Sequence, residues 1–163
     1  MKIFNPAHTA VGDFSFDLDM KVDLTDHLIA AFGGASTLSE TFLYAAASCG
    51  ATLVLIEKLP EDAAARESME ERLSRIACSI ETLGRKKKPD IIIGDITAAG
   101  DVKQITEHIV SVHGRIDTAV DFAGIHHPPF HLYKDDIESL ASQFRSVIDL
   151  NLSGAFIFTA AVA

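Results

Sequence analysis

The sequence predicts an α/β fold of the doubly wound kind, a parallel sheet with helices on both faces, incomplete at its C-terminal side. Three observations predict it. Short apolar runs of strand length alternate with segments whose apolar residues recur every three or four positions. The strand runs are apolar nearly throughout, as burial on both faces requires. The breaks between them carry glycine, proline and capping residues where helix and strand ends need them. Right-handed crossovers then restrict the topology to the doubly wound arrangement.

Residues 1–26 are polar and irregular, with Pro6, Gly12 and alternating Phe14, Phe16 and Leu18, and read as an N-terminal arm or a short edge element. The domain runs over 27–163. His27-Leu-Ile-Ala-Ala-Phe32 is a short apolar strand ending in Gly33-Gly34. Thr37-Leu-Ser-Glu40 matches a capping box, and the helix it opens continues through Phe42, Leu43, Ala46 and Ala47 to a left-handed cap at Gly50. Ala51-Thr-Leu-Val-Leu-Ile56 is the second strand, ending at Glu57. Pro60-Glu61-Asp62 starts a helix with proline in its first turn. Met69, Leu73, Ile76, Ile80 and Leu83 mark its inner face, and Gly84 closes it. Asp90-Ile-Ile-Ile-Gly-Asp95 is the third strand. Val102, Ile105, Ile109 and Val112 mark a third helix ending at Gly114, and Ile116 to Phe122 is the fourth strand. Ile137, Leu140, Ala141, Phe144, Val147, Ile148 and Asn151 predict a long helix running towards Phe158.

The 163 residues suffice for one sizeable core, and an apolar share of 48% with 23% charged is globular. A net charge of −9 argues against nucleic acid or an anionic membrane as partner. The one basic run, Arg85 to Lys88, reads as a solvated helix end. Cys49 and Cys78 lack metal or redox spacing and read as small buried hydrophobes. His126, His127 and His131 flank Pro128 and Pro129 in a loop, so no metal site is expected. No apolar run approaches about 18 residues and no signal pattern opens the chain, which predicts a soluble cytoplasmic protein with no membrane partner.

A ligand site in such a sheet lies at the carboxyl ends of the strands, where a Gly-rich turn brings an anion to backbone amides and a helix N-terminus. Here the turn is Phe32-Gly-Gly-Ala-Ser-Thr-Leu-Ser39. Gly50-Ala51 leads through a strand to Glu57, and Asp95-Ile-Thr97 follows the third strand. Gly114-Arg-Ile-Asp117 leads to Asp121-Phe-Ala-Gly124, and Asn151-Leu-Ser-Gly154 lies in the last helix. In this order the five landmarks resemble the short-chain dehydrogenase/reductase family over residues 28–163, with a Rossmann-type dinucleotide-binding sheet.

The resemblance implies a role for each residue. Gly33, Ser36, Thr37 and Leu38 would surround the pyrophosphate. Glu57 would accept from the adenosine ribose hydroxyls, which favours NAD over NADP, although Lys58 beside it blunts that preference. Asp95 and Ile96 would flank the adenine, with Asp95 read equally as a turn aspartate. Ala123 and Gly124 would pass beneath the ribose. Asn151, on the inner helix face, would hold a water in the family's proton relay, or simply form a local bulge. The last helix would serve a homodimer.

Departures accompany the match. Thr37 and Ser39 replace two turn glycines, Phe32 replaces the preceding threonine, and Asp121-Phe122 replaces an Asn-Asn pair. A threonine at the middle glycine must rotate away or crowd a phosphate, unless the hydroxyls at 37 and 39 instead donate to phosphate oxygens. The family's serine, tyrosine and Tyr-x-x-x-Lys lysine have no counterpart: four residues beyond Tyr44 and Tyr133 stand Ser48 and Ile137. The expectation is a C-terminally truncated chain, inactive alone, whose fourth strand is an unpaired edge and whose last helix exposes Phe156, Phe158 and Val162. Such a chain should be weakly stable or self-associating. Two functions compete: an NAD-linked oxidoreductase acting on an alcohol or carbonyl, and a non-catalytic nucleotide-sensing or protein-interaction module. An unrelated doubly wound binder of the flavodoxin or response-regulator kind is disfavoured.

Overall fold

A computed structural model describes residues 22–83, 88–126 and 136–163. The elements are β1 (Leu28–Phe32), α1 (Thr37–Ser48), β2 (Thr52–Glu57), α2 (Ala63–Leu83), β3 (Asp90–Ile93), α3 (Ala99–His113), β4 (Thr118–Asp121), α4 (Ile137–Ile148) and α5 (Ala155–Val162). A π-helical stretch, Asp149–Gly154, joins the last two into one continuous helix. The sheet is parallel in the order β3-β2-β1-β4. The predicted arm up to residue 21, Gly84, Arg85 to Lys87, and the loop with His127, Pro128, Pro129, His131 and Tyr133 lie outside the described residues.

Alternate residues of the two central strands face opposite ways and build two cores. Ile29 and Ala31 of β1 and Leu53 and Leu55 of β2 meet Leu43, Ala46 and Ala47 of α1 and Leu73, Ile76 and Ile80 of α2. Leu28, Ala30, Phe32, Val54 and Ile56 meet Val102, Ile105 and Ile109 of α3 and Phe158 of α5. Helices therefore cover both faces, and the doubly wound expectation holds.

The expectation of two-sided burial fails at the edges. β3 has a neighbour on one side only among the described residues, and Ile91 and Ile93 are exposed on the α2 side, because the buried face of α2 is spent on β1 and β2. β4 is only half-buried throughout. Asp117, just ahead of β4, accepts from the Leu28 amide at 2.8 Å and sets β4 against β1. That bond, with the Arg115 side chain, holds its carboxyl below the ordinary range.

Other expectations shift at element ends. α2 starts at Ala63 under an Asp62 cap (Ala65 N to Oδ2, 2.8 Å), so Pro60 precedes the helix instead of lying in its first turn. Leu83 and Val112 are exposed, and Thr106, buried on α3, satisfies its hydroxyl by donating to the Val102 carbonyl. Cys78 is exposed and Cys49 half-buried, so neither is a fully buried hydrophobe. Phe158, expected in solvent, packs edge-to-face on Phe32 at 4.7 Å. The exposed apolar side chains of the long helix are Ile137 (74%), Phe144 (59%), Leu152 (62%) and Phe156 (72%), and no residue of α4 is buried. By length and composition this helix, Ile137–Val162, could cross a membrane. A search for an unbroken apolar run overlooks it, because Arg145 and Asp149 interrupt the run.

Candidate functional site

A cleft of about 390 Å³ opens at the carboxyl ends of the strands, where the strand order reverses between β1 and β4. Gly33, Ser36, Glu57, Asp95, Ile96, Ala123 and Gly124 all lie on its wall. Thr37 and Leu38 do not, and stand exposed at the start of α1. Asn151 lies behind Gly124, where an added Cβ would meet its Oδ1 at 3.5 Å.

The turn after β1 is built around Gly33, whose φ of 68° is left-handed. A Cβ there would stand 2.5 Å from the Ala123 amide nitrogen, so the turn lies directly against the end of β4. The capping box begins one residue earlier than the pattern suggests. Ser36, not Thr37, is the N-cap: its Oγ accepts from the Ser39 amide at 3.1 Å, and the Glu40 amide bonds its carbonyl. Glu40 does not reach back, because Tyr44 and Arg72 hold its carboxylate on the helix flank. Ser39, at the third glycine position, is fully buried and donates its hydroxyl to the Ser36 carbonyl at 2.8 Å. The helix therefore packs closely on the sheet without that glycine.

Glu57 ends β2 inside the cleft. Its Oε2 accepts from the Ala35 amide at 2.9 Å, tying β2 to the turn, and its Oε1 from the Lys58 amide at 3.2 Å. Burial pushes this carboxyl above its ordinary range, and the amide bonds and the Arg72 charge offset that only in part. Lys58 turns away from it and pairs with Asp95 at 2.6 Å. Asp95 Oδ1 accepts from the Thr97 amide and hydroxyl, so it is a turn aspartate as well as part of the wall. Burial raises its carboxyl, but the Lys58 and Thr97 bonds outweigh this and hold it below the ordinary range.

Beyond β4, Asp121 accepts from the Ala123 amide at 2.8 Å, and the Phe122 ring rests on Phe42 at 5.4 Å. Asn151, expected on an inner face, is exposed. Both polar atoms of its side chain are committed to one loop residue: Oδ1 accepts from Ile125 N at 2.9 Å, and Nδ2 donates to Ile125 O at 2.8 Å. The π-helical stretch thereby clamps the loop that floors the cleft.

Burial raises the Asp121 carboxyl, so it favours the folded state when protonated, and that contribution is lost as pH rises through its folded pKa. Asp121→Asn should therefore raise the melting temperature near neutral pH by about 1–2 °C, after allowance for solvent screening. The gain should vanish below about pH 3.5, where the wild-type carboxyl is protonated in both states. Thermal scans from pH 3 to 8 give the comparison, and a gain that grows as pH falls would contradict it.

Arg72 and Met69 of α2, Ile125 and Leu150 also line the cleft and carry no local sequence signal. Among the described residues no cluster of histidine, cysteine or carboxylate could hold a metal.

The family model described as short chain dehydrogenase matches residues 28–163. Solved structures repeat the fold. The oxidoreductase yciK from E. coli matches with TM-score 0.72 and 19% identity, covering 88% of this chain and 53% of that one. A short-chain type dehydrogenase/reductase from Mycobacterium ulcerans gives 0.70 and 18%, covering 86% and 46%. An NAD+-bound xylitol dehydrogenase gives 0.70 and 18%, covering 85% and 47%. The chain spans about half the length of these structures.

Proposed function

The chain belongs to the short-chain dehydrogenase family, and from that premise we propose that its cleft takes a nicotinamide dinucleotide, NAD in preference to NADP. The observation that carries this reading is Glu57. Each of its oxygens accepts one backbone amide and retains capacity for a ribose hydroxyl. A 2′-phosphate would bring negative charge against a half-buried carboxylate, and Lys58, engaged with Asp95, is not free to neutralise it.

The residues present fit the group. The Gly33 turn has no room for a side chain, Ala123 and Gly124 keep the floor low, and Ser36 leaves uncapped the amides of Thr37 and Leu38, which stand beside the cleft and not on its wall. When bound, the dinucleotide supplies hydride chemistry towards an alcohol or carbonyl, as the NAD+-bound xylitol dehydrogenase exemplifies for the fold. This chain's own residues bind and orient. Glu57 would fix the adenosine ribose, and Asn151 would hold the 123–125 segment in place through Ile125. Oδ1 and Nδ2 of Asn151 each make one bond to Ile125 and keep capacity for a second, so a relayed water would have a place on its side chain as well as on its main chain.

Within these 163 residues no tyrosine has a lysine four positions on, so the proposal is binding without turnover by this chain alone, as a nucleotide-sensing module would also show. The exposed stripe of the last helix would serve a second copy of the chain. A soluble cytoplasmic setting accords with this reading, and nucleic acid has no place in it.

Titrating the chain with NADH and NADPH, followed by fluorescence or calorimetry, tests the reading. NADH should bind in the micromolar range and NADPH about tenfold more weakly, one like-charge contact at partial burial being worth roughly that factor. Glu57→Gln should narrow the ratio severalfold. No binding at millimolar NADH would end the dinucleotide reading, and equal affinities would end the NAD preference.

A further inference from the structure

We propose that Arg72 is a positioning residue that lets Thr37 stand where the family has the middle glycine of its turn; this rests on the dinucleotide reading of the cleft. Arg72, on α2 and 35 residues away in sequence, donates from Nη2 to Thr37 Oγ1 at 3.2 Å and reaches Glu40 Oε2 at 3.5 Å. Glu40 is itself fixed by the Tyr44 hydroxyl at 2.8 Å and approached by Arg75 at 3.9 Å. Thr37 is the first residue of α1. Its β-branched side chain has few rotamers, and accepting from Arg72 selects one directed towards α2. Ser36 lines the cleft while Thr37 does not. The side chain that a glycine would avoid is thus held outside the anion's approach, and the first amides of the helix stay open to it.

A direct bond from Arg72 to the ligand is the competing account, because Arg72 also lines the cleft and its Nε is buried without a partner. Four proteins separate the two: wild type, Arg72→Met, Thr37→Gly and the double variant, each titrated with NADH after its fold is checked by circular dichroism. Thr37 χ1 is read from three-bond couplings in ligand-free wild type and Arg72→Met. Arg72→Met should weaken NADH binding about threefold, the population lost when one of three staggered rotamers leaves the anion its approach. It should cost nothing further in the Thr37→Gly background, and Thr37 should pass from one rotamer to an average.

An unchanged affinity in Arg72→Met overturns the proposal, as does a single Thr37 rotamer that persists without Arg72. An equal loss in both backgrounds assigns Arg72 to direct contact and overturns it as well. If wild type does not bind NADH, the dinucleotide reading fails first. The couplings then still decide whether Arg72 holds Thr37.

Discussion

Replacing Gly33 with alanine should cost the protein roughly 2–5 kcal/mol and abolish dinucleotide binding, the sum of a left-handed non-glycine residue and an overpacked contact. The two costs are separate. At φ 68° an L side chain meets its own backbone. The added Cβ would also lie 2.5 Å from the Ala123 nitrogen and 2.6 Å from the Phe122 carbonyl carbon. Both are main-chain atoms at the end of β4, so no rotamer change relieves the contact. Either the turn or the β4 end must move, and the cleft lies between them. The loss is a large fraction of a typical domain stability of about 5–15 kcal/mol. Urea denaturation gives the stability change, and NADH titration the binding. Gly124→Ala is the control for stability, since its Cβ would meet only the Asn151 side chain, in ordinary contact with Oδ1 at 3.5 Å and Cγ at 3.9 Å. A Gly33→Ala protein as stable as Gly124→Ala would mean that the turn is not pinned against β4.

What the sequence makes legible here is whatever local spacing encodes. The apolar runs of β1 and β2, the 3.6-residue stripe of α2 from Leu73 to Ile80 and the cap glycines at 50 and 114 (φ 97° and 80°) each depend on a few neighbouring residues, and each is found as expected. Seven of the nine predicted cleft residues line one cavity because the topology gathers strand ends, and the topology follows from element order. The residues that escape detection depend on distant packing. Arg72 reads as one more exposed helix charge until α2 is laid beside α1. The choice of Ser36 over Thr37 as cap turns on Glu40 being drawn to Tyr44 and Arg72. Lys58 beside Glu57 suggests a neutralised carboxylate until β3 brings Asp95 within 2.6 Å. Exposure of Ile91 and Ile93 is equally illegible, since an edge strand and a central one can share a composition.

The last helix should drive self-association, and Phe144→Glu should abolish it. α4 buries no residue against the described parts of the chain, yet carries Ile137, Leu140, Phe144 and Ile148 at helical spacing. Phe156 of α5 extends the exposed apolar surface. We propose a second copy of the chain as the partner, as family membership suggests, and a two-fold contact has a direct energetic consequence. Each substitution then occurs twice in the interface. Removing an aromatic anchor and burying a carboxylate costs roughly 1–3 kcal/mol per copy, hence about thirtyfold or more in the dimer dissociation constant. Because Phe144 is 59% exposed within one chain, the variant should retain its helical circular dichroism, which separates lost association from lost folding. Sedimentation across a concentration series should show wild type shifting from monomer to dimer and Phe144→Glu remaining monomeric. Wild type that stays monomeric throughout would leave the stripe without a second copy. Association unchanged by Phe144→Glu would move the contact elsewhere, most directly to the edge of β4 that has no neighbour among the described residues.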